Sequence, residues 1–75
     1  MFLYQMYEEN LSSPYIGDYI SFGIIVCDIT TEKKQEMFRV SDVAVDKMVV
    51  KTMSELCTKE QLEPIHLYDV IEDTI

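Results

Sequence analysis

The sequence predicts an α+β fold, an antiparallel β-hairpin that the N-terminal segment can widen to three strands, packed against two C-terminal helices as one small acidic domain. Three observations lead there. Apolar residues recur with period two between Tyr19 and Val40, they change to helical spacing after Asp46, and Pro64 cuts the helical part in two.

Each element follows from its residues. Residues 2 to 7 set Phe2, Tyr4 and Met6 against Leu3, Gln5 and Tyr7, the alternation of a short strand. Glu8 to Asp18 holds Asn10, Ser12, Ser13, Pro14 and Gly17, turn formers that read as a loop. Tyr19 to Ile29 is rich in β-branched and aromatic side chains and free of proline, so it is expected as the central strand. One face of it, Ile20, Phe22, Ile24 and Val26, is wholly apolar. The other still carries Ile25, Cys27 and Ile29, and calls for cover by the N-terminal segment or by a second copy of the chain. Gly23 sits in mid-strand, where a close neighbour would use the missing Cβ.

Thr30 to Gln35 is a polar connection, and Glu36 to Val40 resumes the alternation as a second hairpin strand. Setting Phe38 and Val40 beside Ile24 and Phe22 would pair aromatic and β-branched groups across the strands. From Asp46 to Lys59, Val49, Val50, Met53, Leu56 and Cys57 form one helical stripe, with an acid at the positive helix end and a base at the negative end. Ser41 and Asp42 are alternative, earlier caps. Pro64 ends that helix and can open the next, in which Leu67, Val70, Ile71 and Ile75 share a face. The expected core is Ile20, Phe22, Ile24, Val26, Phe38, Val40, Val49, Met53, Leu56, Leu67, Val70 and Ile71.

Composition bounds the function. Ile, Val, Leu and Phe fill 23 of 75 positions, so the chain has the apolar content to fold. Fourteen acidic against six basic side chains give a net charge of -8, which opposes direct binding to nucleic acid or to anionic membrane surfaces. No secretory signal and no apolar stretch long enough to span a bilayer is present, and a cytoplasmic location is expected. Cys27 and Cys57 have no partners at zinc-site spacing and read as reduced, buried apolar residues. The bases are concentrated between residues 33 and 59, whereas residues 60 to 75 hold five acids and no base.

From Val40 to Ile75 the chain carries Val40-x-x-Val43, Lys47, the pair Val49-Val50, and Leu62-x-Pro64-Ile65-x-Leu67-x-x-Val70-Ile71-x-Asp73. In this C-terminal half it resembles a family of small clostridial and related Firmicutes proteins of unassigned function. The resemblance implies a bacterial cytosolic setting and the strand-strand-helix-helix order, and it brings no catalytic residues with it.

Three sets of residues are candidates for chemistry. His66, Asp69 and Asp73 fall on one helical face at i, i+3 and i+7, a spacing that could hold a divalent metal. Cys57 and His66 are the only material for nucleophilic catalysis, too little to make an enzyme, and no cofactor is expected. The third set is the acidic, tyrosine-bearing surface: Glu60, Glu63, Tyr68, Asp69, Glu72 and Asp73 along the last helix, with Tyr15 and Asp18 in the loop before the central strand. Tyrosine adds contact area at interfaces, and arrayed carboxylates suit a basic protein surface. The reading is a non-catalytic binding or regulatory protein that docks on such a surface, including that of a nucleic-acid-binding protein, as a nucleic-acid-mimicking inhibitor of phage type would. The alternatives are metal binding through His66, Asp69 and Asp73, or a structural homodimer formed through a strand edge.

Overall fold

Pairing along the N-terminal third decides the architecture. In the computed structural model, which describes all 75 residues, β1 (Phe2–Ser13) and β2 (Gly17–Asp28) form a twelve-residue antiparallel ribbon, closed by a short turn at Pro14, Tyr15 and Ile16. Gly17 takes φ +82°, which only glycine adopts without cost, and so aims the chain back along β1. β3 (Gln35–Ala44) pairs antiparallel on the other side, in the order β1-β2-β3. Helix α1 (Lys47–Lys59), a single 3₁₀ turn (Pro64–His66) and helix α2 (Leu67–Thr74) follow. The fold is therefore α+β, three antiparallel strands in one sheet followed by two helices.

The expected loop from Glu8 to Asp18 is corrected by this ribbon: only Pro14 to Ile16 turn, and Glu8 to Ser13 continue the strand. Its polar residues are tolerated because Glu8, Asn10 and Ser12 are exposed, so the ladder outweighs their weak strand propensity. β2 is central, as its apolar content predicts, but β3 runs four residues past Val40. Its register also differs from the expected one. Val40 stands opposite Ile24 and Phe38 opposite Val26, a displacement of two residues that keeps the same side chains on the same face. Irregularities between Phe22 and Ile24 and between Val26 and Cys27 absorb the difference, and Asp42 adopts φ 53° there.

The helices cover one face of the sheet. Ile24, Val26, Val50 and Leu67 are fully buried between them, joined by Tyr4, Phe22, Val43, Met53 and Cys57. Two expected core residues are not there: Ile20 is 51 % exposed and Leu56 54 % exposed. Ile20 lies where the ribbon projects beyond the helices. Leu56 is displaced because α1 turns Ser54 inward, where its hydroxyl donates to the carbonyl of Val50 and removes the cost of burying it. Phe38, Val40, Val49, Val70 and Ile71, expected within the core, are only partly buried and pack against its margin. Asp46 is the cap of α1, accepting hydrogen bonds from the amides of Met48 and Val49, whereas Ser41 and Asp42 remain in β3.

The start of β1 is an edge only in name. Thr58 Oγ1 accepts from the amide of Tyr4 at 2.9 Å, and Gln61 Oε1 accepts from the amide of Phe2 at 2.9 Å. The Gln61 side-chain amide donates back to the carbonyl of Phe2, so the end of α1 occupies the edge that another strand would need.

Candidate functional site

The acidic residues divide by what they are bonded to. Asp46 caps α1, Asp28 accepts from the amide of Thr30, Glu36 pairs with Arg39, and Glu9 accepts from Ser41 Oγ and from the amide of Asp42. Asp42 accepts in turn from the hydroxyls of Tyr19 and Ser21. Asp69 lies 3.9 Å from His66 Nδ1. Glu8, Asp18, Glu32, Glu55, Glu60, Glu63, Glu72 and Asp73 have neither an ion pair nor a side-chain hydrogen bond within the chain.

The expected docking residues occupy two separate places. Glu60 and Glu63 flank the link after α1, next to Gln61 and Leu62, which are bonded to the beginning of β1. Tyr68, Asp69, Glu72 and Asp73 form the exposed side of α2, opposite buried Leu67 and half-buried Val70 and Ile71. Tyr15, 96 % exposed, and Asp18 sit at the far tip of the β1–β2 ribbon. Eleven residues of extended strand separate that tip from Phe2, about 36 Å. The helical set and the tip set are thus not brought together, because the segment expected as a loop is straight strand.

On α2 Asp69 suits the positive end from the first turn, but the other two carboxylates are placed against the helix's own interest. Asp69 and Asp73 are four residues apart, a spacing at which like charges repel, and Glu72 and Asp73 lie by the negative end of the macrodipole. Tyr68 beside them is 57 % exposed, and it lines a hollow of about 440 Å³ with Phe38, Arg39, Pro64 and Ile65.

The face of the sheet away from the helices holds a second cluster, which the sequence reading missed. The Tyr7 ring lies over Gly23, so close that a Cβ there would stand 2.6 Å from the ring and 2.5 Å from the Val40 carbonyl oxygen. Mid-strand Gly23 does have the close neighbour its position called for. The Arg39 guanidinium stacks over the same ring at 5.1 Å. Burial, with the Glu9 carboxylate, pushes the Tyr7 phenol up, and the hydrogen bond to Asp42 pushes Tyr19 up. The Arg39 partner holds Glu36 below the usual carboxylate range. These groups satisfy one another. Only the pairing register, which sequence alone does not supply, could have revealed them.

The structure has no group of three His, Cys, Asp or Glu side chains that could hold a metal ion, and His66 and Asp69 are both exposed. Cys27 and Cys57 are free and buried, and burial pushes the Cys57 thiol up, away from the reactive thiolate. Tyr4 is in the core, donating its hydroxyl to the carbonyl of Leu62.

A family model for a family of unknown function, DUF6514, matches residues 1–75. The chain belongs to this family. The match takes in β1 and β2 as well as the helices, which corrects the expectation that family resemblance is confined to the C-terminal half. No curated protein and no solved structure matches it. No helix of the protein is long and apolar enough to cross a membrane.

One further surface feature of this DUF6514 chain is apolar. An open groove of about 430 Å³ runs between the two helices, lined by Met48, Val49, Thr52, Met53 and Leu56 of α1 and by Val70 and Thr74 of α2. Periodicity puts Leu56 on the apolar stripe of α1, but with Ser54 turned inward it lies in this groove.

Proposed function

We propose that this protein is a non-catalytic binding protein of the bacterial cytosol whose helical acidic surface docks on a basic surface of a protein partner. The observation that carries this reading is the charge of α2: three carboxylates and no base on eight residues, two of them, Glu72 and Asp73, at the unfavourable negative end, with no cation within the chain apart from exposed His66. Charges that cost a few tenths of a kcal/mol each at a helix end are retained at no loss if a cationic partner uses them. Tyr68, exposed in the same row, supplies the contact area that carboxylates alone lack. The docking surface is then Glu60, Glu63, Tyr68, Asp69, Glu72 and Asp73, and Tyr15 and Asp18 at the distant ribbon tip form no part of it.

Capture from a bacterial lysate on immobilised protein, at low and at raised salt, tests the reading. Basic proteins should be recovered at low salt, released as salt rises, and lost with Glu63→Lys combined with Glu72→Lys. Recovery of only neutral or acidic proteins, insensitive to salt, would overturn it.

A further inference from the structure

The groove between α1 and α2 is apolar, with five hydrophobic residues among the seven that line it, and its lips differ in sign. Helical rotation of 100° per residue puts Lys51 and Lys59, with Glu55 between them, outside Met48 and Leu56 on the α1 lip. The same rotation puts Asp69 and Asp73 outside Val70 and Thr74 on the α2 lip. A wholly basic or wholly acidic segment laid in the groove would meet one lip favourably and the other unfavourably. A copy of the same groove turned about a two-fold axis that runs parallel to the groove meets both favourably, because each α1 lip then faces the α2 lip of its partner.

We infer that the groove is the interface of a two-fold homodimer, occupied by the corresponding groove of a second copy, with the α1 lysines of each set against the α2 aspartates of the other. Two further observations agree with this occupant. Met48 and Leu56, on the α1 wall of the groove, are 61 and 54 % exposed, as knobs awaiting a partner would be. The chain also exposes 5294 Å² and measures 42 × 26 × 19 Å, against about 4,800 Å² for a compact monomer of its mass. Only 13 of its 75 residues are buried, and its two cysteines form no disulfide. Such a small core is of the kind that association commonly completes. A standard interface would take about 800 Å² from each copy, roughly a seventh of that surface.

This inference goes beyond the docking reading: it turns Asp69 and Asp73 toward the second copy and leaves Glu60, Glu63, Tyr68 and Glu72 as the docking surface. Tyr68 borders the hollow with Phe38, Arg39, Pro64 and Ile65, on the other side of α2 from the groove, and Glu72 lies one turn from it.

Light scattering coupled to size exclusion, backed by sedimentation equilibrium, decides the matter. At tens of micromolar the protein should have twice the 8.8 kDa chain mass. Leu56→Asp should dissociate it at least tenfold more readily while the helical circular dichroism and the melting transition persist, and Met48→Asp serves if that variant does not fold. Charge exchange is the sharper arm. Lys51→Glu with Lys59→Glu in one protein, and Asp69→Lys with Asp73→Lys in another, should each be monomeric alone and should pair when mixed. A wild-type monomer at these concentrations would overturn the inference. So would a dimer indifferent to Leu56→Asp and to the charge exchange, which would put the contact at a strand edge. Glu63→Lys with Glu72→Lys should leave the mass unchanged, so loss of the dimer and loss of partner capture are separate results.

Discussion

Gly23 and Tyr4 show how single positions hold this fold. A methyl group at Gly23 would press on the Val40 carbonyl, part of the backbone, and on the Tyr7 ring, so one of the two must move. Gly23→Ala should therefore destabilise by about 1 to 3 kcal/mol in urea unfolding, the ordinary cost of overpacking, although alanine outranks glycine in strand propensity. Tyr4 acts through its proton. Burial foremost, with Cys57 and Glu63 nearby, raises its phenol from the ordinary 10 to about 12. A group raised in the folded state contributes stability that is complete below the unfolded value and is lost as pH climbs through the folded one. The native state should accordingly lose on the order of 2 to 3 kcal/mol between pH 10 and pH 12. Tyr4→Phe should remove that alkaline loss, and at neutral pH it should cost about 1 kcal/mol for the hydrogen bond to Leu62. An unchanged alkaline melting curve in Tyr4→Phe would show that other groups govern it.

At the scale of the elements, each helix answers to a different demand. α1 is built for stability: Asp46 caps its start, Lys59 suits its end, and Thr58 and the following Gln61 tie it to the edge of β1. α2 has eight residues, no side-chain cap and carboxylates in its last turn. It holds its place mainly through fully buried Leu67, with Val70 and Ile71 packed against the core margin. Glu72→Gln combined with Asp73→Asn should raise stability by a few tenths of a kcal/mol per site, seen as a small increase in Tm, while weakening capture of basic proteins. A fall in stability would mean that these carboxylates have a structural role. The same comparison explains why the last helix was legible from its apolar spacing and Pro64, whereas its opening as a 3₁₀ turn was not. A proline can start either form, and the choice rests on how Leu67 must be aimed at the core.

Over the whole molecule, the net charge of -8 is unevenly distributed. Carboxylates on the open sheet face are held by hydroxyls, by the Asp42 amide and by Arg39, and they pin the irregular part of the β2–β3 pairing. Those at the end of α1 and on α2 lack such partners. The ribbon carries a single carboxylate, Asp18, at its tip with Tyr15 and Ile16, far from the helices. A partner that reads the helical surface does not touch the tip. A two-fold dimer through the groove would place two helical acidic surfaces on one particle and raise the effective affinity for any basic partner with repeated sites.

The sequence by itself determined the class of fold, the centrality of the strand around Ile24 and the apolar stripe of the first helix, while the choice of Asp46 over Ser41 or Asp42 as its cap fell to the structure. The sequence also determined the burial of both cysteines and the acidity of the last helix. These rest on local causes: side-chain period, turn formers, the missing amide of proline, and the formal charges themselves. Only the tertiary structure decided that Glu8 to Ser13 are strand, that Phe38 faces Val26, that Tyr4 is core and Leu56 is surface, and that Tyr15 and Asp18 stand apart from α2. The physical reason is that strand pairing and helix tilt are settled by contacts between residues distant in the chain, such as Tyr4 with Thr58 or Tyr7 with Gly23. No local period encodes which of several equivalent registers those contacts select.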